Sequence, residues 1–299
     1  MNASQAPNQT QTHTLPDGRI LAYCVYGDPN GQPVFYAHGG PGSRLEGALF
    51  HQAATRFGFR LIAVDRPGMG LSTFQPGRRL LDYPTDLVQL ADALQIERFG
   101  VLGWSSGGTH TTVCAYAIPE RLNFNITLAG YTNFAELPGA ADMLESQADR
   151  TAVRLAQRGS PLFGLFFTLM RWSVRLFPEV YYREVVHMVS ETDRQILADP
   201  EIKAHFITDQ QEAAVQKAKG LAWDAAIHYM DWGFRLREIE VPLHIFHGTE
   251  DHNVPVAFSR HIAANVPDCS LHILEGQGHF FPIDHQDLIF QTAQAAGIQ

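Results

Sequence analysis

Cysteine is scarce in this sequence, and its scarcity excludes two kinds of site. The 299 residues include only three cysteines, Cys24, Cys114 and Cys269, which are widely spaced and odd in number. This arrangement fits neither a disulfide framework nor the close ligand spacing of a metal site, and buried free thiols explain it best. We therefore expect no structural metal and no bound cofactor.

Positive charge is also in short supply. The chain has 22 Lys and Arg against 31 Asp and Glu, a formal net charge of -9, and its basic residues form no run. Such a balance gives no support for binding nucleic acid or an anionic membrane. The expected partner is a small molecule, and the sequence leaves the oligomeric state open.

Long apolar runs and a secretory leader are missing as well. The longest apolar stretch, residues 161–170, is too short to span a bilayer. Residues 1–16 are polar and have neither the basic nor the apolar region of a signal peptide. A cytoplasmic protein is therefore the expectation. A hydrophobic content of 45% with only 18% charged residues indicates a large packed core.

Short apolar runs alternate with helical patterns in the first half of the chain. Strands are predicted at residues 33–37, 60–64, 99–102 and 125–129, and helices at 44–57, 84–95 and 106–117. This alternation predicts an α/β fold with a mostly parallel sheet flanked by helices. Ligand sites in such sheets lie at the carboxyl ends of the strands, where the glycine-rich motifs of this sequence are found.

The strand pattern stops in the middle of the chain and later resumes. Residues 131–239 show long helical stretches without a convincing buried strand, whereas strands return at 241–246 and 270–274, with helices at 255–265 and 284–296. We therefore predict a core domain of residues 1–130 and 240–299. Residues 131–239 are predicted to form a helical cap inserted after strand 6, where substrate would enter.

The segment GWSSGG, residues 103–108, contains the candidate nucleophile. It matches the pattern G-x-S-x-G, in which the central serine occupies a sharp turn between a strand and a helix. The glycine spacing selects Ser105, while Ser106 begins the helix and offers its backbone N–H. Trp104 is a candidate pocket residue. The pattern is common by chance, so a plain flexible turn is the alternative interpretation.

A serine nucleophile needs a base, and the base needs an orienting acid. Asp251 follows the strand at 241–246, with Glu250 as its near rival, and His279 follows the last strand in a glycine-rich loop. Any one of the 14 histidines is weak support by itself, but the order Ser105, Asp251, His279 places all three at strand ends. We expect His252 to be a surface or core residue.

The segment HGGPG, residues 38–42, follows another strand and is a candidate oxyanion hole. Glycine lets backbone N–H groups come close to a developing oxyanion. Gly40 is the preferred donor and Gly39 the alternative, together with Ser106. A plain tight turn is the other interpretation. The charged loop DRPGMG, residues 65–70, is interpreted as structural support for the site.

Taken together, these motifs resemble the α/β-hydrolase superfamily. HGGPG, DRPGMGLS, GWSSGG, HGTEDHNVP and GQGHF stand in its order, and the resemblance covers residues 10–297. HGGPG is similar to the proline iminopeptidase-like branch and to many esterases. The resemblance implies a triad of Ser105, Asp251 and His279 and a helical cap over the pocket. The sequence departs from the iminopeptidase group, which usually shows G-G-S-W-G-S and D-Q-R-G at the elbow and the charged loop.

We predict a carboxylesterase-type serine hydrolase that acts on small to medium, largely apolar esters. Three apolar residues of the predicted cap, Phe163, Phe167 and Met170, either line an acyl pocket or form the cap's own core, and the second interpretation is favoured. Phe166 and Trp172 belong to the same apolar piece. The alternatives are an aminopeptidase and a ligand-binding homologue without catalysis. In the aminopeptidase, a cap carboxylate would bind the substrate amine; the candidates are Glu191, Asp193 and Glu212.

Overall fold

The computed structural model describes residues 9–297, and its centre is an eight-stranded sheet. The strands are β1 (Gln11–Thr14), β2 (Ile20–Gly27), β3 (Gln32–Ala37), β4 (Phe59–Val64), β5 (Phe99–Trp104), β6 (Leu122–Leu128), β7 (Leu243–Gly248) and β8 (Cys269–Leu274). They are ordered β1-β2-β4-β3-β5-β6-β7-β8. β2 is antiparallel to β1 and β4, and all other neighbours are parallel. The predicted mostly parallel sheet is confirmed.

Helices connect the strands and pack on the sheet. They are α1 (His51–Arg56), α2 (Tyr83–Ala93), α3 (Ser106–Ala117), α4 (Gln147–Gln157), α5 (Pro161–Leu176), α6 (Pro178–Met188), α7 (Glu191–Leu197), α8 (Pro200–Ala213), α9 (Ala218–His228), α10 (Val256–Asn265), α11 (Phe281–Asp284) and α12 (Gln286–Gly297). The alternation of strand side chains places Phe35 and Tyr36 of β3 in different apolar clusters. Phe290 of α12 belongs to the same cluster as Tyr36, and Leu87 of α2 belongs to the same cluster as Phe35.

The predicted element boundaries differ from the structure in a few places. The expected helix at 44–57 is divided into a 3-10 helix, Arg44–Phe50, and α1. Within that 3-10 helix a Cβ on Gly47 would lie 2.7 Å from the Ala63 Cβ of β4, so the segment lies close against the sheet. The predicted helix 284–296 is also two pieces, α11 and α12. β5 extends to Trp104, so the strand leads directly into the turn at Ser105.

Six helices, α4 to α9, lie between β6 and β7, and no strand occurs in that stretch of the described chain. Part of their apolar surface forms a cluster that includes Phe163, Phe167 and Leu221. By contrast Ile196 and Leu197 of α7 join the cluster that packs on the sheet. None of the helices between residues 9 and 297 has the length and hydropathy needed to cross a membrane. Residues 1–8 of the polar N-terminal stretch lie outside the described residues.

Candidate active site

The turn between β5 and α3 holds Ser105 in a conformation that side chains rarely adopt. Its φ is 56° and its ψ is -122°, in a left-handed region that strains a non-glycine residue. A Cβ on Gly103 would lie 2.3 Å from the Gly107 oxygen, and one on Gly107 would lie 1.9 Å from the Ala37 oxygen. Both positions therefore require glycine, as the G-x-S-x-G spacing predicts. The turn presents Ser105 to a cavity.

Asp251 and His279 meet at the same edge of the sheet. The Nδ1 of His279 lies 2.7 Å from Oδ2 of Asp251, and both side chains are buried. The other oxygen of Asp251 accepts the backbone N–H groups of Asn253 and Val254 at 2.9 and 2.8 Å. These two bonds fix the carboxylate, as expected of an orienting acid. The rival Glu250 is exposed on the same loop.

The surroundings of this pair favour an ionised acid and a basic imidazole. Burial alone would raise the pKa of Asp251, but His279 and His247 hold that pKa below its ordinary value. Burial likewise tends to lower the pKa of His279, yet the nearby carboxylates, with Asp251 foremost, raise it. A general base must be neutral to accept a proton. The raised pKa therefore keeps His279 protonated up to a higher pH than an ordinary histidine.

Trp104, at the end of β5, contacts the backbone of His279. Its indole Nε1 donates a hydrogen bond of 3.0 Å to the carbonyl of His279, and the two rings lie 5.9 Å apart, centroid to centroid. Trp104 also lines the cavity, as does His279. The predicted pocket residue thus holds the histidine loop in addition to bordering the pocket.

The HGGPG loop faces Ser105 from the end of β3. The N–H of Gly39 donates to Oε1 of Glu46 at 2.8 Å, so this N–H is engaged and Gly40 remains the candidate donor from this loop. Gly40 lies against the start of α3, where a Cβ would come within 2.6 Å of the Ser106 Oγ. Gly40 and Ser106 both line the cavity beside Ser105. Their N–H groups are the candidate donors to an oxyanion.

The sequence did not predict the buried charged cluster of Arg66, Arg78 and Asp224, which lies next to Gly39 and Ser106. The guanidinium of Arg66 is fully buried, and its Nη2 donates to the Ser106 Oγ at 2.7 Å and to the Gly39 carbonyl at 3.0 Å. The same nitrogen lies 2.9 Å from Oδ2 of Asp224, which belongs to α9. Arg78 also pairs with Asp224. The loop expected to be structural support therefore contacts both segments of the candidate oxyanion hole, at Gly39 and Ser106.

The cluster has more positive than negative charge. Burial alone would raise the pKa of Asp224, but the two arginines hold it well below its ordinary value. Burial lowers the pKa of His228 to about 4 and that of His110 well below its ordinary value, so both rings are neutral near pH 7. Their nitrogens lie 3.2 and 2.9 Å from the Ser106 carbonyl. The start of α3 is thereby held by neutral imidazoles and one guanidinium.

The cavity that these residues share has a volume of about 920 Å³ and a largely apolar lining. The predicted pocket residues Phe163, Phe167 and Met170 all line it. Phe163 and Phe167 also pack with other helices of the same region, so the pocket and core interpretations both apply. Phe166 contributes to the wall, whereas Trp172 is 54% exposed and is not among the lining residues.

The charged groups that line the cavity are acidic. They are Glu46, Glu145, Asp149, Glu184, Asp209 and Asp224, and no Lys or Arg is found among the described residues of the lining. Burial raises the pKa of Glu46 to about 7. Burial also raises the pKa of Asp209 well above its ordinary value, with a further contribution from Glu46.

Four further side chains named in the sequence analysis have defined positions relative to the cavity. His252 lines the cavity, which corrects its assignment as a plain surface or core residue. The amine-binding candidates of the predicted cap do not line the cavity. Glu191 pairs with Arg194 on the surface, Glu212 pairs with Arg44, and Asp193 bonds to backbone groups. Sequence position alone does not show which face of a short helix meets the cavity.

Comparison with known proteins identifies the family to which this fold belongs. A family model described as the alpha/beta hydrolase fold matches residues 32–286. A 2-hydroxy-6-oxononadienedioate/2-hydroxy-6-oxononatrienedioate hydrolase from Cupriavidus pinatubonensis is 25% identical over 232 residues, which are 76% of this chain and 72% of that protein. A proline iminopeptidase from Xylella fastidiosa is 26% identical over 238 residues, 73% of this chain and 62% of that protein.

A solved structure shows the same fold over nearly the whole length. The crystal structure of a hydrolase from Pseudomonas aeruginosa PA01 matches with a TM-score of 0.69 and 20% identity, covering 97% of this chain and 98% of that one. Its likeness concerns the fold. Together with the family match, it leads to one conclusion: the chain belongs to the α/β-hydrolase fold family.

Proposed function

We propose that the protein is a serine hydrolase that cleaves carboxylic esters of small to medium, largely apolar substrates. One observation carries the proposal: Ser105, His279, Gly40 and Ser106 all line one apolar cavity, with Asp251 bonded to His279 behind it. A nucleophile, a base with its acid, and two N–H donors are the parts that acyl transfer through a covalent intermediate requires.

The proposed reaction assigns a role to each of these groups. Nε2 of His279 takes the proton of the Ser105 hydroxyl as its oxygen attacks the ester carbonyl, while Asp251 accepts the Nδ1–H and keeps the ring oriented. The N–H groups of Gly40 and Ser106 stabilise the oxyanion. The imidazolium then gives its proton to the departing alkoxide, which leaves an acyl group on Ser105. His279 next activates a water molecule that releases the acid and restores the serine.

In this proposal the cluster of Arg66, Arg78 and Asp224 stabilises the oxyanion hole formed by Gly40 and Ser106. Arg66 bonds to the Ser106 Oγ and to the Gly39 carbonyl, so it fixes the two segments that carry the donors. The excess positive charge of Arg66 and Arg78 over Asp224 lies on the same side. A fixed positive charge in a buried site stabilises developing negative charge more than water would.

We further propose that residues 131–239 are a cap over a core of residues 1–130 and 240–299. Phe163 and Phe167 of α5 and Phe206 of α8 line the cavity that Ser105 also lines. The cap thus supplies apolar walls, whereas the strand ends supply the reacting groups. Exclusion of water by such walls raises the strength of the electrostatic interactions within the site.

The charge of the lining bears on substrate choice. Like charges brought together in a binding site cost several kcal/mol. Asp224 of the lining is paired with Arg66 and Arg78, but three further lining carboxylates are exposed to solvent: Glu145, Asp149 and Glu184. Since the described lining has no Lys or Arg of its own, a substrate with two carboxylates, as named for the relative from Cupriavidus pinatubonensis, meets like charge at these side chains. Neutral apolar esters meet no such repulsion.

Two buried carboxylates favour a second candidate, an aminopeptidase. The hydrogen bonds of Glu46 come from the Tyr36 hydroxyl and the Gly39 N–H, and those of Asp209 come from Ser43. None of these partners is a cation, so a substrate ammonium would be well placed to pair with the two carboxylates.

The third alternative is a homologue that binds a ligand without catalysis. It is disfavoured by the bonded Asp251–His279 pair.

A substrate panel separates these functions. We expect p-nitrophenyl esters of two to eight carbons to be hydrolysed about a hundredfold more efficiently, by kcat/KM, than proline or alanine p-nitroanilides. A p-nitrophenyl hemisuccinate should react about tenfold or more slowly than the butyrate of equal chain length, because its carboxylate meets like charge. Amide turnover without ester preference would overturn the esterase in favour of the aminopeptidase.

A further inference from the structure

A buried carboxylate from the helical region contacts the loop of His279. Asp193, on α7, has no exposed surface. Its Oδ2 accepts the backbone N–H of His279 at 2.8 Å, and its Oδ1 accepts that of Phe280 at 2.7 Å. Hydrogen bonds from N–H groups to an ionised carboxylate are among the stronger ones in proteins. The two bonds together hold one peptide segment at two successive points.

The fit around this carboxylate is close. Ser190 caps α7 and accepts the Asp193 N–H on its Oγ at 3.2 Å. A Cβ on Gly278 would lie 2.1 Å from both the Asp193 Oδ2 and the Ser190 Oγ. Only glycine fits at position 278, so the histidine loop packs closely against the start of α7.

Asp193 completes a set of restraints on one residue. The ring of His279 is bonded to Asp251, its carbonyl accepts from Trp104, and its N–H donates to Asp193. The first two restraints come from the strand ends, whereas the third comes from a helix 86 residues earlier in the chain. Removing the third frees the amide end of His279, and the direction of the ring toward Ser105 depends on that backbone.

We propose that Asp193 is a positioning residue for the base His279, an inference that rests on the proposed function. It acts by holding the backbone of the histidine loop, and it couples the placement of α7 to the reacting groups. A misplacement of the base by about 1 Å can cost about a hundredfold in rate. Its role is separate from substrate binding, because Asp193 is not among the residues lining the cavity.

The charge of Asp193 supplies a second readout. Burial lowers the pKa of His279, while Asp251, Asp193 and Glu46 raise it, and the carboxylates prevail. Since kcat/KM rises as the ring loses its proton, its acidic limb reports this pKa in the free enzyme. Removing the Asp193 charge should shift the limb to lower pH, with Asp251 and Glu46 unchanged.

The test compares Asp193→Asn with Glu191→Gln in the full-length protein. Both variants turn an acid of α7 into an amide, but Glu191 is exposed and pairs with Arg194 on the surface. We expect Asp193→Asn to lower kcat about 10- to 100-fold per active site with little change in KM, and to move the acidic limb downward. Glu191→Gln should match the wild type in both. Active sites are counted by titration with a fluorophosphonate.

Every outcome decides the matter. For Asp193→Asn, a lower kcat together with a shifted acidic limb of the pH profile supports the proposal. An unchanged kcat or an unshifted limb overturns it. If Asp193→Asn does not fold, Ser190→Ala replaces it: this variant loosens the start of α7 but keeps the charge. It should lower kcat severalfold per titrated site without moving the limb, and an unchanged kcat would overturn the proposal. Loss of the proposed function itself would appear separately, as a wild type that neither hydrolyses esters nor reacts with the fluorophosphonate.

Discussion

The single variants Ser105→Ala and His279→Ala should each have a kcat for an apolar ester that is lower by about four orders of magnitude or more. The serine supplies the oxygen that forms the acyl-enzyme, and the histidine supplies the base without which that oxygen is a weak nucleophile. The two groups act as one unit, so the double variant should lose little beyond either single variant. The measurement is single-turnover hydrolysis of p-nitrophenyl butyrate by the purified variants.

Ser106→Ala is the matched control for this prediction. It removes the hydroxyl that accepts from Arg66 but retains the backbone N–H, so its kcat should fall by only about tenfold. Retention of a tenth or more of the wild-type kcat by Ser105→Ala would contradict the assignment. So would a Ser106→Ala variant as inactive as Ser105→Ala.

Asp224→Asn should lower the free energy of unfolding by about 3–5 kcal/mol. This substitution keeps the shape of the side chain but leaves Arg66 and Arg78 buried without a counter-charge. Removing one partner of a buried ion pair is costly, because the other charge stays out of water. Urea denaturation, followed by circular dichroism, measures the loss.

The control is Asp231→Asn, just beyond α9. Asp231 pairs with Arg235 on the surface, with about half of each side chain exposed, and such pairs contribute about 1 kcal/mol or less. A wild-type stability for Asp224→Asn, or a loss no greater than that of Asp231→Asn, would contradict the account. Arg78→Met added to Asp224→Asn should recover part of the loss, since it removes one of the two uncompensated cations.

The fold, and the shared location of the candidate reacting groups, were predictable because their signals are local. Each glycine-rich motif follows a short apolar strand, and strands of a parallel sheet bring their carboxyl ends together. Ser105 could therefore be placed near Asp251 and His279 without knowledge of the contacts between them. The choice of Ser105 over Ser106 follows from the positions of Gly103 and Gly107. In the structure both glycines lie so close to neighbouring backbone that neither could carry a Cβ.

The partners of these groups could not be predicted, because they come from distant and unpatterned segments. Arg66 and Asp224 are 158 residues apart, and Asp193 is 86 residues from His279. No local spacing marks a helix carboxylate as the one that turns toward the core. The sequence favours Gly40 over Gly39 as a donor but does not show that the Gly39 N–H is bonded to Glu46, a partner seven residues along the chain.

The apolar helix α5 shows a related limit. Its sequence is apolar on more than one face, so the pattern predicts burial without saying which side chains reach the cavity. In the structure Phe163 and Phe167 turn inward and line the cavity, while Leu169 lines it yet remains 55% exposed and Trp172 points to the outer surface. Which face of α5 meets the site depends on how the six inserted helices pack together, and the sequence of one helix does not contain that information.

Labelling with a fluorescent fluorophosphonate will decide whether Ser105 is the nucleophile. The reagent forms a covalent bond with an activated serine and needs no knowledge of the natural substrate. We expect strong labelling of the wild type and of Ser106→Ala, and none of Ser105→Ala folded to the same extent by circular dichroism. Labelling retained in Ser105→Ala, or lost in Ser106→Ala alone, would refute the assignment of Ser105.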